Sequence, residues 1–333
     1  MERPKSFLVI QTAFIGDVIL ATALVEKIHQ FYPDASIDFL LRKGNESLLV
    51  NHPFIREVIV FDKKNKYRNL FLLIRRIRSA KYEVLLNVQR FATTGIIALF
   101  SGAEKKIGFD KNPLSFFFTF KIEHQIGQLH EIGRNQKLIE QLTDSEAAMP
   151  RLYPSVSDYD FVKGYQTSSY FCIAPTSVWF TKQWPAEKWI ELIQNNYKLV
   201  QSIYLLGAPT DHIVCESIRL ASGISTVTNL AGKLSFLQSA VLMKDAKMNF
   251  VNDSAPMHLA SAMNAPVTVI YCSTVPSFGF GPLSSNSTVI ETKEKLDCRP
   301  CGLHGFKDCP KSHFKCAQTI AIDSVANASS VAQ

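Results

Sequence analysis

The chain has 333 residues, 47% apolar and 20% charged, which excludes an extended disordered protein and leaves room for two domains with separate cores. Its 36 basic residues exceed the 29 acidic ones for a formal charge of +7, and residues 1–150 carry most of the excess, with 21 basic and 16 acidic groups. That balance points to an anionic partner without choosing among nucleic acid, a membrane surface and a phosphorylated small molecule.

The first element in chain order is Phe7–Gln11, a short apolar run suited to a buried parallel strand. The apolar stretch continues to Leu24, but Gln11, Thr12 and Asp17 interrupt it and no small-residue cleavage site closes it, so it does not read as a signal peptide. No other stretch approaches the ~18–20 uninterrupted apolar residues of a membrane span. The expectation is a cytoplasmic chain. A turn at Phe14–Asp17 leads into a helix over Val18–Tyr32, stopped by Pro33. Ser36–Leu41, Val58–Phe61 and Glu83–Val88 follow as strands, with a helix over Lys66–Ser79. Asp144–Asp160, with Pro150, Pro154 and three serines, reads as a linker.

The alternation then restarts. Tyr170–Ala174, Ser202–Leu206, Met248–Val251 and Val267–Tyr271 are the predicted strands. Pro185–Asn196, His212–Ala221, Leu234–Lys244 and Pro256–Met263 are the helices between them. Strands alternating with helices on both sides of a linker imply an α/β protein of two Rossmann-like, doubly wound domains, residues 1–155 and 156–333, facing across a cleft.

Five segments carry chemistry. Gly16-Asp17 sits in the turn after the first strand, at the ligand-facing edge of such a sheet; Asp17 there is either a general base or a helix N-cap. Thr176, Ser177, Thr181 and Lys182 crowd the loop after Tyr170–Ala174, a phosphate site or simply a polar loop, while Trp184 and Trp189 suit a core. Asp253, Ser254 and Pro256 open a helix whose free N–H groups can hold a pyrophosphate, with His258 about one turn in, as a ligand or as a structural residue.

Cys298-x2-Cys301-x7-Cys309-x6-Cys316 places four of the seven cysteines within 19 residues, with His304 and His313 between them. Four thiolates can supply a structural zinc site with no open position for catalysis; four free thiols are the alternative. An odd cysteine count clustered this way does not look like a secreted disulfide framework. Finally, Lys63, Lys64, Lys66, Arg68, Arg75, Arg76, Arg78 and Lys81 surround Leu70–Ile74 with no acidic residue among them. This is a basic amphipathic helix, either a dock for an anionic acceptor or membrane surface or a solvated face.

In this order the segments resemble the bacterial lipopolysaccharide heptosyltransferases, glycosyltransferase family 9, from about Phe7 to Val325. Ile15-Gly-Asp-Val-Ile-Leu-Ala-Thr and Asp253-Ser-Ala-Pro-Met-His-Leu-Ala carry most of the likeness, supported by Thr181-Lys-Gln-Trp-Pro, Ser101-Gly, Ile107-Gly-Phe, and His130 with Arg134. The late cysteine stretch looks most like the second heptosyltransferase of the core. The resemblance implies a GT-B fold, an acceptor-binding first domain and a second domain binding a nucleotide-sugar such as ADP-heptose. It implies inverting transfer with Asp17 as base and no metal or cofactor needed for the chemistry. Thr176, Ser177 and Lys182 fall on the donor-phosphate loop; Asp253, Ser254, Ala255 and His258 fall on the segment cradling sugar and pyrophosphate. Lys63, Lys64, Arg68, Arg75, Arg76 and Arg78 would meet an anionic glycolipid acceptor at the inner face of the cytoplasmic membrane.

Two departures stand out: Ala255 replaces a usual glycine, and Pro209 stands where some members carry a nucleoside-contacting glutamate. The expected protein is a monomer that binds no nucleic acid. A nucleotide-sugar epimerase and a basic nucleic-acid-binding protein are the alternatives.

Overall fold

The computed structural model describes residues 4–166 and 168–327, so the end of the predicted second domain, 328–333, lies outside the described residues. The chain divides into two units, Met1–Tyr153 and Pro154–Gln333. The first holds β1 (Ser6–Ile10), α1 (Ile15–Phe31), β2 (Ser36–Arg42), β3 (Glu57–Phe61), α2 (Lys66–Ala80), β4 (Val84–Asn87), α3 (Ala92–Phe100), β5 (Lys105–Phe109), β6 (Phe120–Ile122) and α4 (Glu131–Gln136). Its strands form one parallel sheet in the order β3-β2-β1-β4-β5-β6, with Phe7 beside both Ile37 and Val84. Strand β1 is apolar on both faces because helices cover both; Phe7, Leu8, Val9 and Ile10 are wholly buried. On one face Leu8, Ile10, Leu40 and Leu85 pack with Leu73 and Ile77 of α2 and Ile97 of α3.

The second unit holds α5 (Val156–Val162), β7 (Tyr170–Ala174), α6 (Ala186–Asn196), β8 (Ser202–Leu205), α7 (His212–Ser222), β9 (Val227–Asn229), α8 (Phe236–Lys244), β10 (Met248–Asn252), α9 (Ala255–Ala262), β11 (Val267–Tyr271), β12 (Ser287–Glu291), α10 (Lys315–Gln318) and α11 (Ile322–Asn327). Its parallel sheet runs β12-β11-β10-β7-β8-β9. Counted within the unit, this is the same winding as the first sheet: the chain lays three strands outward one way, then three the other way. Each unit is therefore a Rossmann-type doubly wound domain. The winding reverses between β1 and β4, and again between β7 and β10. Crevices form at the carboxyl ends of such strand pairs, because the following loops diverge to opposite faces of the sheet.

The structure corrects the sequence reading in places. The predicted linker ends in a helix, α5, opened by a capping box in which Ser155 Oγ accepts from the Asp158 N–H at 3.2 Å and the Asp158 carboxylate accepts from the Ser155 N–H at 2.8 Å. Trp184 and Trp189 sit in the core as expected, edge to face at 5.0 Å.

Candidate active site

In the first unit the turn between β1 and α1 places Asp17 as the third residue of the helix, with Gly16 buried just before it. Asp17 is not the N-cap: Phe14 holds that position, and the Asp17 carboxylate reaches back to accept from the Phe14 N–H at 3.2 Å. That contact is half of a capping box, since the Phe14 side chain has no oxygen to return it. Burial pushes the Asp17 pKa up to about 6, and the negative charge of Glu131 on α4 adds to the rise; Arg90, just beyond β4, pulls the other way. Glu131 is itself buried, ion-paired with Arg134, whose Nε donates to the carboxylate at 2.9 Å and whose Nη1 donates to the Leu129 carbonyl at 2.6 Å.

His124 stands in the same electrostatic neighbourhood. Burial, followed by the charges of Arg90 and Arg134, lowers its pKa to about 4, so its ring is neutral near pH 7. Across the β1–β4 switch point Gln89 donates to Gln11, fixing the strand ends behind Asp17. Sequence reading singled out His130 and Arg134 but missed Glu131, Arg90 and His124; only their positions on α4, after β4 and after β6 reveal them. His130 is the N-cap of α4, its Nδ1 accepting from the Ile132 N–H at 3.3 Å.

The second unit repeats the arrangement with different chemistry. Lys182, from the loop after β7, forms a 2.7 Å ion pair with Asp253, from the turn after β10, across the switch point. Asp253 is buried and also accepts from Thr274 Oγ1 at 2.6 Å. Asn252 ties the two strand ends together: its Nδ2 donates to the Pro175 carbonyl at 2.8 Å and its Oδ1 accepts from the Trp184 N–H at 3.0 Å. Asn252 and Thr274 carried no sequence signal, because an Asn ending a strand and a Thr beginning a loop are common. Ser254 is the N-cap of α9, with its hydroxyl directed to the Asn252 carbonyl at 3.4 Å rather than into the helix, so its side chain does not cap the first turn. Ala255 is the first residue of α9, and His258 is buried on that helix. Thr176 and Ser177 follow β7, the first buried and the second partly exposed.

Thr181, in the loop that the sequence leaves as a phosphate site or a plain polar loop, is 1% exposed, and its Oγ1 accepts from the Phe306 N–H at 2.8 Å and from Ser273 Oγ at 3.0 Å. Its hydroxyl is committed to the protein interior.

All seven cysteines are free thiols. Burial, then the neighbouring Cys301 and Cys309, pushes the Cys316 thiol up to about 11, so the clustered thiols feel one another; Cys298 Sγ lies 3.8 Å from His313 Nε2. Among the described residues, however, no three His, Cys, Asp or Glu side chains are arranged to hold a metal ion.

On α2 the basic residues are exposed, together with Tyr67, Phe71 and Leu72. Arg76 is the exception in role. It is ion-paired with Glu57 of β3, which a scan of α2 alone does not show. With Val60, Phe61, Asp62, Asn69, Leu72 and Leu73 it lines a groove of about 290 Å³. Among the described residues no helix is long and apolar enough to cross a membrane.

The structure of an E. coli ADP-heptose lps heptosyltransferase II is similar, with a TM-score of 0.81, 20% identity and 98% of both chains covered. A family 9 glycosyl transferase from Veillonella parvula reaches a TM-score of 0.88 at 22% identity, covering all of this chain and 98% of the other. Both likenesses place the fold in the two-Rossmann GT-B class. In sequence the chain is 28% identical over 300 residues to Lipopolysaccharide heptosyltransferase 3 of Escherichia coli, covering 82% of this chain and 85% of the relative. The model of glycosyltransferase family 9 (heptosyltransferase) matches residues 70–303, a span that contains α2 from Leu70 onward, Arg90, α4, Lys182 and Asp253. The chain is a glycosyltransferase and belongs to family 9, the heptosyltransferases.

Proposed function

We propose that this glycosyltransferase moves a heptose from a nucleoside-diphosphate donor, ADP-heptose, to a hydroxyl of a lipopolysaccharide core, with inversion at the anomeric carbon. The observation that carries the proposal is Asp17: a desolvated carboxylate with a pKa of about 6, at the switch point of the first domain. Such a group is ionised near neutral pH yet basic enough to take a proton from an alcohol as that oxygen attacks. Inversion follows from a single displacement, since the attacking oxygen and the departing diphosphate occupy opposite faces of the anomeric carbon.

The second domain serves the donor. Lys182 neutralises charge gathering on the leaving diphosphate, and the uncapped N–H groups of α9, behind Ser254 and Ala255, add to it. Asp253 holds the Lys182 ammonium in place, and Thr176, Ser177 and His258 complete the cradle. No protein-bound metal is part of this chemistry. Cys298, Cys301, Cys309 and Cys316 are proposed instead as a structural zinc site, which requires the thiols to draw together around the ion.

The first domain serves the acceptor. The exposed Lys63, Lys64, Arg68, Arg75 and Arg78 meet its anionic groups at the inner face of the cytoplasmic membrane, while Tyr67 and Phe71 supply apolar contact. The reading treats the protein as a monomer that binds no nucleic acid.

The test is transfer itself. The purified chain, given ADP-heptose and a heptose-deficient lipopolysaccharide core, should add one sugar to the acceptor, read by mass spectrometry, with the product in the opposite anomeric configuration by NMR. Hydrolysis or epimerisation of the donor without transfer overturns the proposal.

A further inference from the structure

The segment that carries the four cysteines has little regular structure, yet it is anchored to the donor side of the second domain at several points. The Cys301 N–H donates to the Ser273 carbonyl at 2.8 Å, just past β11. The Arg299 guanidinium donates to the carbonyls of Cys272 and Thr274, each at 2.7 Å, and pairs with Glu291 on β12 at 2.5 Å. Seven residues after Arg299, Phe306 forms a two-way link with Thr181: the Thr181 N–H donates to the Phe306 carbonyl at 3.1 Å, and the Phe306 N–H donates to Thr181 Oγ1 at 2.8 Å. Gly305 turns the chain there with φ +77°; a Cβ at that position would lie 2.8 Å from Thr181 Oγ1 and 3.3 Å from Lys182 Cγ.

These contacts close a ring around the Lys182–Asp253 pair. Arg299 fixes the backbone of Thr274, whose hydroxyl holds Asp253; Asp253 holds the Lys182 ammonium; and Thr181, next to Lys182 in the chain, is fixed by Phe306 and by Ser273 Oγ. The Lys182 side chain leaves a short 3-10 turn, Phe180–Lys182, which has no long helix to stiffen it. What fixes its base is Thr181, pinned from the cysteine segment. We propose that Thr181, clamped by Gly305-Phe306, is a positioning residue that aims Lys182 at the donor diphosphate. This inference rests on the assignment of Lys182 to the donor.

The experiment measures the affinity of the full-length chain for ADP, with inorganic pyrophosphate as a base-free probe, by calorimetry. It uses Thr181→Val, Thr181→Ser, Gly305→Ala, Lys182→Met and the double variants with Lys182→Met. Valine keeps the shape of threonine and removes the hydroxyl; serine keeps the hydroxyl. The expected result is at least a tenfold weaker ADP affinity for Thr181→Val, recovery to within threefold of wild type for Thr181→Ser, and weakening for Gly305→Ala. A residue that acts only through Lys182 has nothing left to act on once that lysine is gone, so adding Thr181→Val or Gly305→Ala to Lys182→Met should cause no further loss.

If Lys182→Met binds ADP and pyrophosphate as wild type does, the donor assignment falls and this inference with it. If Lys182→Met weakens binding but Thr181→Val does not, the inference alone falls. It also falls if the two losses add, because the hydroxyl then only stabilises the domain. Should Thr181→Val fail to fold, Gly305→Ala alone and combined with Lys182→Met decides by the same criteria.

Discussion

Asp17 shows what a folded environment does to one carboxyl group. Its pKa, raised from 3.8 to about 6, means the folded chain holds that proton more tightly than the unfolded one. The stabilising contribution is therefore full below pH 3.8 and is lost as pH rises through about 6, so keeping Asp17 ionised at neutral pH costs stability, on the order of 3 kcal/mol. Asp17→Asn should accordingly lower turnover ~10²- to 10⁴-fold while raising the melting temperature at pH 7.5, with the difference shrinking toward pH 4. In the wild-type chain kcat/KM should rise with unit slope up to about pH 6 and then level off. A limb centred near 4 would mean that another group carries the proton. At this scale the sequence was informative where a residue type and its place after a strand agree, as for Asp17, Lys182 and Asp253. It left Thr181 open, because a hydroxyl in a loop says nothing about which way the loop turns it. It was silent on Glu131 and Arg90, whose influence on Asp17 depends on α4 and the end of β4 being brought beside α1.

Among the elements, α2 presents one face to the core through Leu70, Leu73 and Ile77 and leaves its basic residues outside. Its helical period and one-sided charge are visible in sequence; the pairing of Arg76 with Glu57 is not, because the acid comes from β3. The unpaired charge is therefore smaller than the sequence count suggests, and Arg76 contributes to the groove beside β3 rather than to the outer face. Converting Arg68, Arg75 and Arg78 to glutamine should reduce sedimentation with vesicles containing anionic lipid at least tenfold, whereas Arg76→Gln should change it less than threefold. Retention should also fall as salt is raised. Equal losses from all four positions would show that the pair with Glu57 opens at the surface. Most elements that escaped the sequence were short or polar, the apolar nine-residue α3 (Ala92–Phe100) being an exception. β6 and β9 have three residues each, and β5 opens with Lys105-Lys106, so none shows an apolar run long enough to be read.

The whole molecule repeats one winding, and this was legible because alternating apolar strands and amphipathic helices admit few topologies once crossovers are right-handed. The strand order itself was not, since nothing in a strand's own residues says which neighbour it will take. The cysteine segment is the part of the molecule least governed by that logic. If its four thiols take up zinc, the purified chain should carry about one equivalent by elemental analysis, and chelation should lower its melting temperature. A content below a tenth of an equivalent would leave Cys298, Cys301, Cys309 and Cys316 as ordinary thiols, anchored only through the contacts of Arg299, Cys301 and Phe306.

The repeated order of strands has a further consequence. Each sheet ends its central pair on a different kind of group, an acid whose pKa is raised by burial in the first and a lysine ion-paired with an acid in the second. The tasks of priming an alcohol and steadying a departing phosphate, as proposed for these groups, thereby fall to separate stretches of chain. On the proposed function, descendants of such a gene can change the alcohol they accept by altering loops after β1 and β4, while the loops after β7 and β10 go on gripping the same activated sugar.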